Sequence, residues 1–371
     1  MQAEAARSIT ENIRVRLTGQ QAARLARARP VNPEAYDLYL RGRYYSERIT
    51  QPDTKKCIEN FEQSIQKDPL FADAYAGLAD CDAFAGDFGV LNYSDAVSRE
   101  RNAVRRALEL DDTQAQAHAQ LAYLDMEQDW NWTAAAAEFQ RALELGPNLP
   151  ATHEHYADFL LSTGQTEAAI NEIQVAAGLD PLSTRYKAAV GWDLIYARRY
   201  DEAIRQFRRV TELDPNYSVA HTGLDRAYVL QGMYEPAIEE RKWLYLLFGF
   251  DAGEAAAKVS ELRSAYRALG PRGYWQKRLD WDQQDIGEKQ DAGRRFYVNP
   301  FHLAVDYVFL GDKDRAFSFL QQAYQQHVPE LVLLKVDPRF DSIRADAAFD
   351  KVLTAAGACQ EAVRASGTPG K

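Results

Sequence analysis

Apolar and small residues recur along much of this chain at steps of three and four positions, the spacing that keeps them on one face of an α-helix. Ala135, Phe139, Ala142 and Leu143 form one such stripe, and Ala203, Ile204, Phe207 and Val210 another. The stripes come in pairs, and each pair closes on a similar phrase. LELGP, AGLDP and TELDP end at Pro147, Pro181 and Pro215, spaced by 34 and 34 residues. QKDP, ending at Pro69, and LELDD, ending near Asp112, have the same shape with looser spacing. A proline at that point stops the second helix, since it cannot continue the backbone ladder. Gly86, Gly164, Gly232 and Gly311 fall in mid-repeat, where a left-handed residue ends one helix and turns into the next. A helical pair of this size cannot bury its apolar face alone; stacked neighbours make a continuous core, and about six pairs plus a separate C-terminal unit are expected.

These residues resemble the tetratricopeptide repeat (TPR) family, whose first helix carries a large residue, Leu, a small residue and Tyr. Its second helix carries Ala, an aromatic and Ala, followed by Pro. One repeat matches through Tyr75, Leu78, Ala79 and Gly86, and a second through Leu121, Ala122, Ala135, Phe139, Ala142 and Pro147. A third uses Tyr156, Ala157, Gly164, Ala169, Ala176 and Pro181; a fourth Gly191, Ala203, Phe207 and Pro215; a fifth Leu224, Tyr228, Gly232 and Ala237. The last has Ala304, Tyr307, Gly311, Ala316, Leu320 and Ala323. The resemblance implies an all-α, right-handed superhelical solenoid of antiparallel helix pairs. The sequence departs from the pattern around Gly42 and Phe61, in a loop from Asp87 to Ser94, and at Asp82 and Asp125, which stand where Tyr is expected.

The segments order as a basic amphipathic helix over 1–30, the repeat array over 31–245, an irregular helical segment over 246–298, a C-terminal repeat-like unit over 299–360 and a disordered tail over 361–371. Ile9, Ile13 and Leu17 share a side of the first segment, which holds six arginines; the reading preferred for it is a solvated helix packing on the first repeat or continuing an upstream domain. RSITENIRVRLTG, AYDLYLRGRYY, WNWTAAAAEFQRALEL and DPRFDSIRADAAF together resemble the C-terminal half of bacterial regulators in which a winged-helix, cyclase or kinase domain precedes a TPR array. The resemblance implies the sensing or docking arm of such a regulator and carries over no catalytic or DNA-reading residue.

Composition narrows the picture. Hydrophobic residues at 46% and charged residues at 26% describe a folded chain. A net charge of −10 opposes tracking a phosphate backbone, so no direct nucleic-acid contact is expected. The N-terminus lacks a signal-peptide core, and the apolar stretch near Trp243 to Phe250 is far short of the roughly 20 residues a membrane span needs. A cytoplasmic protein is expected. Cys57, Cys81 and Cys359 lie far apart without a C-x-x-C pair, so neither a disulfide framework nor a zinc site is expected.

The search for chemistry finds little. His153 and His155, two apart on a helix, point to nearly opposite sides, and Ala157 stands where H-E-x-x-H needs its second His. His118, His153 and His221 occupy nearly equivalent places in three first helices, with Lys187 in the repeat between; repeat-to-repeat packing is preferred over a ligand-facing ladder. Asp80 and Asp82 begin like a calcium loop, but Phe84 and Leu91 occupy ligand positions. The sequons at Asn92, Asn131 and Asn216 are read as chance matches. With no phosphate loop and no nucleophile motif, no catalytic, metal or cofactor residue is assigned.

The resemblance places first helices on the concave side. The candidate groove is then Asp80, Phe84, Tyr123, Glu127, Glu154, Asp158, Arg185, Trp192, Tyr196 and Arg226, acidic at first and more basic and aromatic later. Aromatics and arginines are enriched at binding hot spots. A protein or peptide segment with basic and apolar side chains would suit it. Acidic or apolar Glu154, Ala119 and Ala188 stand where a carboxylate clamp would need Lys or Asn. The reading is a protein-binding scaffold or docking arm. A second reading is a small-ligand module in which residues 246–298 help close the groove. A third is an enzyme, which an ionisable cluster in a cleft around Tyr274 to Asp285 would support.

Overall fold

The computed structural model describes residues 30–357 except 49, 88 and 288–297. The basic N-terminal segment, the tail and Cys359 lie outside these residues. All regular structure among them is helical. The helices run as antiparallel pairs: α1 (Pro33–Ser46) with α2 (Gln51–Lys67), α3 (Ala72–Asp87) with α4 (Tyr93–Leu110), and α5 (Ala115–Glu127) with α6 (Trp132–Leu145). There follow α7 (Pro150–Ser162) with α8 (Thr166–Leu179), α9 (Thr184–Tyr196) with α10 (Tyr200–Leu213), and α11 (Ser218–Leu230) with α12 (Tyr234–Leu247). The chain continues through α13 (Ala252–Leu269), α14 (Pro271–Gly287), α15 (Pro300–Leu310) and α16 (Lys313–Gln325) to α17 (Ala347–Ala355).

Local chemistry starts and stops these helices. Asn32, Thr50, Asn131 and Ser183 accept hydrogen bonds from first-turn amides of α1, α2, α6 and α9. Gly164, Gly232 and Gly311 hold the left-handed turns expected of them, with φ of 87°, 74° and 79°. Gly86 does not; it lies inside α3, and Gly89, with φ of 62°, makes the turn. The expected loop from Asp87 to Ser94 is correspondingly short, because α3 reaches Asp87 and α4 begins at Tyr93.

Close packing between pairs depends on small residues facing an aromatic. Phe61, Phe139 and Phe207 are completely buried. Gly42 and Gly77 flank Phe61, and Gly191 and Gly223 flank Phe207; a Cβ on Gly191 would lie 2.6 Å from the Phe207 ring. First helices also touch one another from repeat to repeat, whereas second helices pack chiefly on the first helices at either side. First helices therefore line the tighter, concave face. One core cluster runs from α5 to α17.

Two further expectations need correction. Residues 246–298 contain two regular helices, α13 and α14, of 18 and 17 residues. Asp251 and Glu254 cap the first with reciprocal hydrogen bonds, and Gly270, at φ 59°, separates the two. The glycines that suggested irregularity punctuate helix ends. Cys57 and Cys81 are disulfide-bonded, with Cα atoms 6.1 Å apart. No local motif announced the pair, because it is made by α2 packing on α3.

The segment between α16 and α17 runs as a strap over the turns of the array, through short 3-10 turns at Pro329–Leu333 and Pro338–Phe340. Its approach stacks His327 and Tyr324 on Trp130, at ring separations of 4.3 and 5.3 Å. Lys335 Nζ donates to the Thr163 carbonyl at 3.0 Å, and Arg198 grips Asp341. Residues 130, 164 and 198 are spaced by 34, so the strap meets three successive turns.

Candidate functional site

The expected groove residues divide into two groups. Asp80 and Phe84 on α3, Tyr123 and Glu127 on α5, Glu154 and Asp158 on α7 and Arg185 on α9 line one cavity of about 140 Å³. Gln120, Glu100 and His155 line it too, and were not anticipated. The other three, Trp192, Tyr196 and Arg226, lie farther along the array. Arg226 stacks over Trp192 at 4.5 Å. It faces Arg339 and Asp337 of the strap, as does Tyr196. Burial first, then Arg339, lowers Arg226 to about 10, and burial raises Tyr196 to about 12. The strap thus occupies much of the basic, aromatic half expected to stand open.

Arg185 organises the cavity. Only 6% exposed, it donates from Nε to Glu154 at 3.0 Å and from Nη1 to Asp80 at 3.2 Å, and its guanidinium lies 4.9 Å from the Phe84 ring centre. Burial alone would raise Asp80, but the charge of Arg185, with that of Arg43, outweighs it and holds the carboxyl below its ordinary value. For Glu154, burial prevails and the carboxyl rises despite Arg185. Asp158 is pushed up to about 8 by burial and then by the charge of Glu154. His155 falls to about 4 through burial and the neighbouring Arg185. It is a neutral ring packed 5.1 Å from Tyr123. Near Arg185, Ser183 Oγ donates to Glu47, just past the end of α1, at 2.9 Å across 136 residues.

The other motifs have structural roles. His118, His153 and His221 each place Nδ1 against a second-helix carboxylate, Glu138, Glu172 and Glu240, at 2.6 to 2.7 Å. Each Nε2 meets the carbonyl six residues earlier, at 2.9 to 3.0 Å. Lys187 makes the equivalent contact to Pro181. The ladder ties each first helix to its preceding turn and to its partner helix. Asp80 and Asp82 diverge: Asp80 meets Arg185, while Asp82 accepts from Arg99 at 2.9 Å. Among the described residues, no group of His, Cys, Asp and Glu is placed to hold a metal ion, and no helix is long and apolar enough to cross a membrane.

Ionisable groups do cluster around Tyr274, but in packed interior. Arg241 pairs with Asp225 at 2.8 Å, the Tyr274 hydroxyl donates to Asp225 at 3.4 Å, and Trp275 stacks on Phe309 at 4.0 Å. The neighbouring concavity is a shallow depression lined by Glu261, Lys277, Asp280 and Trp281.

No family profile matches the chain. It is 30% identical over 94 residues to small glutamine-rich tetratricopeptide repeat-containing protein 2 of Mycosarcoma maydis, covering 25% of this chain and 27% of that protein. It is 25% identical over 170 residues to the transcriptional regulator HilA of Salmonella typhimurium, covering 45% of this chain and 30% of HilA. The chain thus spans under a third of either relative's length. Among solved structures, YrrB, described as a TPR protein with an unusual peptide-binding site, is 23% identical, with a TM-score of 0.33 over 53% of this chain and 96% of YrrB. With antiparallel helix pairs starting at residues 150, 184 and 218 on a 34-residue period and glycines seating Phe61 and Phe207, the chain has the all-α fold of a tetratricopeptide-repeat solenoid.

Proposed function

We propose that this chain is a protein–protein interaction scaffold whose concave face docks a peptide or protein segment bearing basic side chains. The observation that supports this best is the shared cavity of Asp80, Phe84, Tyr123, Glu127, Glu154, Asp158 and Arg185. It combines a surplus of carboxylates with aromatic walls on rigid helices, and such complementarity selects basic partners. Trp192, Tyr196 and Arg226 would extend this surface on displacement of the strap. The finer role we assign is the docking arm of a bacterial regulator, with no reaction or nucleic-acid contact of its own. The four regulator-like segments and the partial likeness to HilA, named a transcriptional regulator, support it.

Surface plasmon resonance with matched peptide sets tests the docking reading, one set carrying Arg and Lys where the other carries Glu. The basic set should bind, and Glu127→Lys should weaken it at least about tenfold while melting stays unchanged. Equal binding of both sets, or binding of neither, would show the reading to be wrong.

A further inference from the structure

The charges around the cavity do not balance. Arg185 spends its donors on Asp80 and Glu154, with Nη2 also 2.7 Å from Glu154. That leaves Asp158, to which no basic side chain bonds among the described residues, beside Glu154. Beneath lies Asp193, 35 positions farther along the chain and only 3% exposed; one of its carboxyl oxygens accepts no hydrogen bond. Asp193 is raised by its burial and by the charges of Asp158 and Glu154. Buried carboxyls without a counter-charge favour the protonated form.

A second observation is independent of the acids. Gln120 is 2% exposed and lines the cavity. Its amide donates to the Ala76 carbonyl at 3.0 Å, yet its side-chain oxygen accepts nothing from the described residues. An unmet buried acceptor costs on the order of 1–3 kcal/mol, so a donor at this point would be favoured. The Phe84 face is taken by Arg185, so the aromatic wall left to an entering cation is Tyr123, and aromatic faces attract cations. At about 140 Å³ the cavity suits one head group and not a drug-sized ligand, which needs roughly 300 Å³ or more.

We propose that this cavity is a pocket for a single organic cation, a primary ammonium or guanidinium group, held by the Asp158 carboxylate and the Gln120 oxygen against the aromatic wall of Tyr123. The proposal rests on the reading of this face as a dock for basic segments, and it names the group that enters. The cation can belong to a partner's lysine or arginine or to a free amine. Bound cation replaces the proton on Asp158, so binding releases a proton near neutral pH. The charged groups around it on other elements are Arg43 on α1, Glu47 just after it, Asp80 on α3, Glu100 on α4, Glu127 on α5 and Arg185 on α9.

Titration calorimetry at pH 7 in buffers of different ionisation heat tests this, with three probes: agmatine, a short arginine peptide, and the same peptide with citrulline. The full chain is compared with Asp158→Asn and with Gln120→Leu, and melting confirms that each variant folds. Expected are binding of the arginine peptide with proton release, loss of at least tenfold with citrulline, and a like loss in Asp158→Asn with proton release abolished. Binding by agmatine as well assigns the pocket to the cation itself, and binding by agmatine alone keeps the pocket but overturns the peptide-docking reading. An arginine peptide that binds the parent and Asp158→Asn alike overturns the pocket and leaves the docking reading standing. Binding of none of the probes overturns both.

Discussion

Arg198 holds the Asp341 carboxylate with two hydrogen bonds, of 2.8 and 2.6 Å, across 143 residues of sequence. Arg198 has a φ of 62°, a conformation that glycine holds one period earlier at Gly164 and one period later at Gly232. Trp130, with φ of 50°, fills the same position one period before Gly164. Both non-glycine residues are the ones whose side chains reach the strap. A left-handed side-chain residue costs about 1–2 kcal/mol, and contact with the strap offsets part of it.

Arg198→Gly therefore removes strain and an ion pair together. The pair is partly exposed, at 39% and 42%, so it contributes about 1 kcal/mol at most. Chemical denaturation should place Arg198→Gly within about 1 kcal/mol of the parent. Asp341→Ala should cost about 0.5–1 kcal/mol in the parent and less in the Arg198→Gly background, where only the bond from Arg344 remains to be lost. An equal cost in both backgrounds would show that the two side chains are not coupled.

Gly191→Ala should be among the more damaging small substitutions. Its Cβ would meet the Phe207 ring at 2.6 Å, and Phe207 is also enclosed by Gly223. Overpacking of this kind costs about 1–3 kcal/mol. Trimming the ring in Gly191→Ala/Phe207→Leu should cost less than the sum of the two single changes. Additive costs would mean that the glycine is not there to seat the ring.

His221 has acceptors at both ring nitrogens, Glu240 at 2.6 Å and the Pro215 carbonyl at 2.9 Å, which favours the doubly protonated ring. Burial pulls its pKa down, but the bonds to Glu240 and Pro215 prevail and raise it above 6.5. The stability this contributes is fully present below about pH 6.5 and is lost as pH rises through the folded value. Glu240→Gln should therefore cost about 1–3 kcal/mol at pH 6 and less at pH 8.5. Urea titrations at the two pH values check it, and a cost that grows with pH would reverse the assignment.

Arg185→Met would strand Asp80 and Glu154 in the interior, at a cost of about 3–5 kcal/mol at pH 7. Asp80 is held below its ordinary value. Its contribution is present above about pH 3.9 and disappears as pH falls through the folded value. Parent and variant stabilities should therefore converge in acid. A gap that stays constant from pH 7 to pH 3 would assign Arg185 a packing role alone.

The helix pairs were legible in the sequence because their causes are local. A stripe at helical spacing and a proline after the second helix recur every 34 residues at Pro147, Pro181 and Pro215. The acidic half of the groove was legible for the same reason: once the period is known, Asp80, Glu154 and Asp158 fall on first helices. The period could also propose His118, His153 and His221 as equivalents, but not their carboxylate partners about 20 residues away on the opposing helix. What the period does not repeat, tertiary structure alone decided. The Cys57–Cys81 bond, the Ser183 hydroxyl on Glu47 and the strap over Trp130, Thr163 and Arg198 join residues between 24 and 197 positions apart. DPRFDSIRADAAF was visible as a distinctive segment, but its place over Tyr196 and Arg226 depends on how far the stacked pairs turn. The state of Asp158 was likewise decided there, since a carboxyl is raised by what surrounds it in space and not by its neighbours in the chain.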